Sequence, residues 1–178
     1  VLQNTSLGSL KLSILNGQVY SCTNCLTSSI GGPIPINISQ NASLAFYTSS
    51  AGNGIYDGII SGAGSLYKYA PANTGSNTPN QFIDILTGNN TYTGGTTIAG
   101  GVLVVGDGAQ NGNIVGNVIV DGSGTINGSN ATFPINSQTP NKSSYFIIDR
   151  NDNYRFAGNI NLISGGNVIF NVNGTGSQ

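Results

Sequence analysis

Apolar residues in this chain fall in short segments where they alternate with polar ones, and each segment stops at Gly, Asn or Asp. A period of two puts one set of side chains on one face of an extended backbone, the pattern of half-buried β-strands. The run Leu10-Lys11-Leu12-Ser13-Ile14-Leu15 is the first of these. It stops at Asn16-Gly17, and Gln18-Val19-Tyr20 follows directly. Asn-Gly between two alternating runs predicts a tight antiparallel hairpin. Further strands are predicted over 43–48, 55–60, 65–69, 82–86, 96–98, 102–105, 117–120, 124–126, 144–148, 155–163 and 167–172. The segment 31–36 carries Pro33 and Pro35, which lack backbone donors, so it is barred from the middle of a sheet. Residues 70–81 lack alternation, contain Pro71, Gly75 and Pro79, and read as a surface loop.

Composition points the same way. All acidic residues are Asp, whose side chain suits turns, and helix-forming Glu is absent. The chain therefore reads as all-β. Its 178 residues suit a single β-rich domain (1–178) or a piece of a longer repeat array. With 6% charged residues and a net charge of −1, it lacks the clustered Lys and Arg that displace counterions from phosphates, so nucleic acid is not an expected partner. No apolar run is long enough to span a bilayer. The chain begins at Val1 without a signal peptide, which predicts a processed product or an excised fragment. An uncharged surface rich in Asn, Ser, Thr and Gly, with 38% hydrophobic residues, predicts an ordered extracellular or cell-surface protein.

Candidate chemistry is sparse. His is absent, which removes the Ser-His-Asp triad and His-containing zinc sites. Cys22-Thr23-Asn24-Cys25 has redox-motif spacing but no helix after it to activate a thiol, so a small-loop disulfide is expected. The run Asp149-Arg150-Asn151-Asp152-Asn153-Tyr154-Arg155 holds paired carboxylates that could cleave a glycan. Its plainer reading is a polar turn with weak surface ion pairs. Asp107 and Asp121 stand beside Gly, where turn chemistry outweighs calcium binding. No cofactor or metal is expected, and no enzymatic activity. Asn-Xaa-Ser/Thr acceptors for glycosylation occur at Asn4, Asn37, Asn41, Asn89, Asn127, Asn130, Asn141 and Asn173. Tyrosines such as Tyr67, Tyr69 and Tyr92 could stack on sugars or simply fill a pleated surface.

The densest patterning is Leu86-Thr87-Gly88-Asn89-Asn90-Thr91-Tyr92-Thr93-Gly94-Gly95-Thr96-Thr97-Ile98. Gly101-Val102-Leu103-Val104-Val105-Gly106-Asp107-Gly108 and Gly116-Asn117-Val118 follow. This stretch resembles the passenger-associated β-strand repeat of bacterial autotransporter adhesins, most closely over 81–126 and more loosely over 42–68 and 144–163. It departs from the repeat at 69–80 and over 1–40. The resemblance implies a right-handed parallel β-helix on the bacterial surface, with Leu103, Val105, Ile119 and Ile126 pointing inward. It also implies adhesion, aggregation or display as the role, with the repeat itself a spacer without chemistry.

A rival architecture fits the same strands. Asn-Gly occurs at 16–17, 53–54, 111–112, 127–128 and 173–174, as antiparallel hairpins prefer. A β-sandwich subunit could then polymerise by strand donation, with 9–20 as the donor. Two passages, 41–62 and 144–160, each place an apolar strand before an aromatic-Xaa-Gly-Xaa-Ile step and suggest an internal repeat. Three functional readings result. One is a non-catalytic adhesive scaffold, another a glycosylated filament subunit, and the third a glycan-cleaving enzyme. The first two imply self-association, or contact with a host or neighbouring cell surface and its glycans.

Overall fold

A computed structural model of the chain describes residues 11–21, 33–47, 52–69, 82–122 and 144–172. These residues contain fourteen strands and no helix. In chain order they are β1 (Leu12–Ile14), β2 (Gly17–Ser21), β3 (Ile36–Ile38), β4 (Ala42–Tyr47) and β5 (Gly52–Tyr56). Next come β6 (Ile60–Gly62), β7 (Ser65–Tyr69), β8 (Phe82–Leu86), β9 (Thr96–Ile98) and β10 (Gly101–Ala109). The last are β11 (Val118–Asp121), β12 (Ser144–Arg150), β13 (Ile160–Ile163) and β14 (Asn167–Val172).

The strands lie in three sheets, visited in rotation. Sheet I is β1-β3-β6, sheet II is β13-β11-β9-β7-β4-β2, and sheet III is β14-β12-β10-β8-β5. Every strand pairing among the described residues is parallel. The chain therefore winds through one strand per face and stacks each coil on the last, as in a parallel β-helix. Sheet I continues beyond its named strands. The Thr91 N–H donates to the Ile60 carbonyl at 2.8 Å, and the Thr93 N–H donates to the Gly62 carbonyl at 2.9 Å.

Register turns this winding into columns. Val19, Leu44, Leu66, Thr96, Val118 and Ile160 stack on the inner face of sheet II. Tyr56, Leu86, Val105, Ile148 and Phe170 stack on the inner face of sheet III. The columns meet in one continuous core that includes Ile36, Ile38, Phe46, Leu103 and Phe146, all with no exposed surface. Complete burial of one such side chain contributes roughly 1.5–3 kcal/mol. Phe170 continues its column on the last described coil and is 54% exposed, with no described residue stacked beyond it.

Glycines set how closely coils approach at the corners. A Cβ on Gly88 would press into the backbone carbonyl of Gly58 on the coil before it, and one on Gly158 into that of Gly116. These contacts are with backbone, which cannot swing aside as a side chain could. The need for Gly at these points is therefore one of space.

Several expectations are corrected by this topology. Asn16-Gly17 makes no hairpin: β1 and β2 lie in different sheets, and Gly17 takes φ 72° where the chain turns a corner. The antiparallel sandwich is replaced by parallel coils. The described residues of 9–20 are already paired within the chain, to β3 and β4. The N-terminal 1–40, with no place in the repeat by its sequence, supplies β1, β2 and β3 to the same stack. Ile119 faces outward at 37% exposure, in register with Thr97 and Asn161, and Val118 and Val120 point inward instead. The strand predicted over 155–163 is shorter, β13 alone. The two similar passages are not equivalent, because 42–47 lies in sheet II and 144–150 in sheet III. Residues 70–81, Ile126 and the strand predicted over 124–126 lie outside the described residues.

Gly88→Ala should destabilise the fold by roughly 1–3 kcal/mol through overpacking. Chemical denaturation measures the loss, and an unchanged midpoint would show that the corner yields freely.

Candidate functional site

The polar groups inside the stack are the places where these residues do something other than pack. Asn90 follows the corner after β8 and is fully buried. Its Oδ1 accepts the Ile60 N–H at 2.9 Å, while its Nδ2 donates to the carbonyls of Gly88 and Asn113, each at 2.9 Å. One amide thus ties together three successive coils. It supplies an acceptor to a buried N–H that would otherwise carry a desolvation penalty. Two residues on, the Tyr92 hydroxyl lies 2.5 Å from Thr96 Oγ1, satisfying both inside the core. Tyr56 donates from its hydroxyl to the Ile34 carbonyl at 2.5 Å.

Lys68 and Asp84 are the second internal polar site. Their side chains have no exposed surface, and Nζ lies 2.6 Å from Asp84 Oδ2. Lys68 sits between Phe46 and Ile98 in a sheet II column, and Asp84 between Gly54 and Leu103 in a sheet III column. Burial lowers the Lys68 pKa, partly countered by the charge of Asp84. Removing one partner of such a pair strands the other charge, at a cost of about 3–5 kcal/mol. Alternation alone could not reveal this pair: Lys68 occupies an inward slot that the pattern would give to an apolar residue, and Asp84 faces it only because the chain winds.

The 149–155 cluster does not converge on one point. Asp149 Oδ1 accepts from Asn171 Nδ2 at 2.8 Å, across to β14. Arg150 instead forks onto Asp152, with Nε to Oδ1 at 2.8 Å and Nη2 to Oδ2 at 2.5 Å. Its Nη1 also donates to the Gly112 carbonyl, and its guanidinium lies 4.5 Å from the centre of the Tyr154 ring. Hydrogen bonding to Asp152 raises the Arg150 pKa, and the same bond lowers that of Asp152. Arg155 is exposed. The arrangement pins the turn after β12 to the coil before it.

Other candidate residues take local roles. Asp107 accepts from the Ala109 N–H at 3.3 Å and from Asn111 Nδ2 at 3.1 Å, as in a turn. Asp121 is buried at the end of β11. Among the described residues, no group of three or more His, Cys, Asp or Glu is placed to hold a metal. Of the glycosylation acceptors, Asn41 and Asn89 are exposed. Asn37 is half-buried and donates from Nδ2, the atom that would carry sugar, to Ser61 Oγ at 3.2 Å. Asn4, Asn127, Asn130, Asn141, Asn173, Cys22 and Cys25 lie outside the described residues. Tyr92 is a core residue with no surface to offer a sugar. Tyr67 and Tyr69 stack on each other, with ring centres 5.8 Å apart.

Residues 85–105 match the family model of the passenger-associated-transport-repeat. The match begins on β8, follows the Asn90 corner through β9, and ends on β10, which pairs with β8. Leu86 and Val105, near its two ends, are register partners. The matched repeat is thus one full turn of the stack. The family is that of autotransporter passengers, which are secreted or surface-exposed. The comparisons returned no curated protein and no solved structure that matches this chain. Among the described residues, no helix is long and apolar enough to cross a membrane.

Replacing Asn90 by Ala should cost roughly 2–4 kcal/mol, because the buried Ile60 N–H loses its acceptor. Asn89→Ala, at an exposed neighbour, should cost far less. Equal losses in denaturant titrations would show that Asn90 does not brace the coils.

Alkaline pH should also unfold the chain. Burial raises the pKa of Tyr56 and Tyr92 above the ordinary 10.0. The unfolded chain therefore releases these protons first, and stability present below pH 10 is lost as pH rises beyond it. Burial raises Tyr154 in the same direction, while Lys68 works the other way and its contribution stops growing once pH passes 10.5. Tyrosinate absorbance should show buried tyrosines ionising only as the fold is lost. Ionisation of every tyrosine in the intact fold would contradict this.

Proposed function

We propose that this chain is part of an autotransporter passenger, a right-handed parallel β-helix held outside the cell as a non-catalytic scaffold for adhesion or aggregation. The observation that carries this reading is the coincidence of the matched repeat with one full coil, in register with coils on both sides. The right-handed reading is supported by the general preference of parallel strands in one sheet for right-handed crossovers. A stack of this kind makes a long, stiff support because each coil needs only its neighbours.

The outer face of sheet III supports the associative part of the reading. Ile55, Ile85, Val104, Ile147 and Ile169 stand in register across all five strands. Ile55 is 51% exposed and Ile169 44%. Val104 is buried at 8%, so the exposed apolar surface lies toward the two ends of this row, where it favours contact with other surfaces. Buried Asn90 is engaged in coil-to-coil bonding, which fits a scaffold better than an enzyme. Exposed Asn41 and Asn89 are the acceptors that sugar would reach if the chain is glycosylated.

Antibody labelling of intact cells should detect the chain without lysis, and deleting it should reduce cell clumping or attachment. Ile55→Lys with Ile169→Lys should weaken clumping while leaving surface labelling intact. Labelling only after lysis would refute the surface assignment, and unchanged clumping and attachment on deletion would refute the adhesive role.

A further inference from the structure

Lys68 and Asp84 have a geometry that goes beyond an ion pair. They belong to the same coil, one on β7 and one on β8, and face each other across the corner between sheets II and III. Neither has exposed surface, and Nζ lies 2.6 Å from Oδ2, which sets the amine beside the carboxyl group that carries Cγ. Nζ also donates to the Tyr69 carbonyl at 2.9 Å, which restrains the end of a flexible side chain. Phe46 and Ile98 stack on either side of Lys68, and Asp84 lies between Gly54 and Leu103. Packing of this kind excludes the water that would stabilise two separated charges.

Two consequences follow from elementary chemistry. A low-dielectric site favours the neutral form of the pair, reached when one ammonium proton moves to the carboxylate. The products are a free amine and a carboxylic acid, a nucleophile and its electrophile. Holding them in contact also replaces a chance encounter by a fixed one. Burial lowers the affinity of the Lys68 amine for its proton, in the direction this requires.

We propose that Lys68 and Asp84 form a self-condensation site that links Lys68 Nζ to Asp84 Cγ as an isopeptide bond. The amine lone pair attacks Cγ, so a C–N bond forms and one C–O bond breaks. The departing oxygen leaves as water with two of the three protons of the original ammonium, and the third stays on the amide nitrogen. Nothing is oxidised or reduced, and no other reactant enters. The same burial then keeps water from reversing the step. The bond closes a covalent ring over residues 68–84 and fastens β7 to β8 within one coil. It also replaces a buried charge pair by a neutral amide, which the apolar columns tolerate better.

Mass spectrometry of the purified, denatured chain tests this directly. Trypsin cuts after cationic side chains, and an acylated Nζ is no longer one. Cleavage is expected after Lys11, Lys142, Arg150 and Arg155 but not after Lys68. The 12–142 fragment should be lighter than its sequence by one water. Mass alone does not decide, because Asp57-Gly58, Asp107-Gly108 and Asp121-Gly122 can each lose water by succinimide formation. Chymotryptic digestion should therefore yield a branched peptide whose fragmentation places the link between Lys68 and Asp84. Lys68→Arg keeps the cation but should abolish both the branched peptide and the missing water. Efficient cleavage after Lys68 with full-mass peptides would overturn the proposal. So would a water loss located at an Asp-Gly pair, or one that persists in Lys68→Arg.

Discussion

Register is the constraint on which the rest of this molecule depends. Each strand hydrogen-bonds to the equivalent strand one coil away, and the pairing fixes which side chains share a column. Because side chains alternate between faces, a slip of one residue would turn Leu66, Leu86 and Leu103 out of the core together. The corners enforce the same register by space. Gly58 lies against Gly88 and Gly116 against Gly158, close enough to exclude a Cβ. A coil can lengthen between its strands without disturbing this, as happens between β7 and β8 and between β11 and β12. An insertion inside a strand would break every column it enters.

The buried polar groups are consistent with this logic. At the corner after β8 backbone bonds already join the coils, with the Asn90 N–H donating to the Asn113 carbonyl at 3.1 Å, and the Asn90 side chain adds the acceptor for the Ile60 N–H. Lys68 and Asp84 are different, because their positions in the columns could hold aliphatic side chains. A buried ion pair is poor evidence of added stability, since desolvation offsets much of its attraction. Its retention makes better sense if the two groups are reactants, and a covalent closure would suit a scaffold that works outside the cell.

The functional reading rests on arrangement more than on any reactive centre. Arg150, Asp152 and Tyr154 bind one another and the preceding coil. Asp149 turns instead to Asn171. What the described residues present is a stack of parallel coils with little charge and exposed Ile55 and Ile169 on the outer face of sheet III. These are properties suited to holding or joining surfaces.

The amino-acid sequence alone determined the all-β class, most strand positions, the inward placement of Leu103 and Val105, and the resemblance to the passenger-associated repeat over 81–126, within which the family match at 85–105 falls. Alternation and turn residues are local signals, so they survive without a structure. The sequence left β3 unrecognised, because Pro33 and Pro35 argued against a strand just where one begins at Ile36, and it met β6 only at Ile60, the end of the strand predicted over 55–60. It misassigned Asn16-Gly17, since a tight turn and a β-helix corner use the same residues. It also put Ile119 on the wrong face, because a run of adjacent β-branched residues does not say which side is inside. Only the tertiary structure decided that the strands pair in parallel, that 11–21 and 33–47 belong to the same stack, and that Lys68 meets Asp84. Those facts depend on which coil lies against which, a long-range relation that the order of residues in any single segment does not contain.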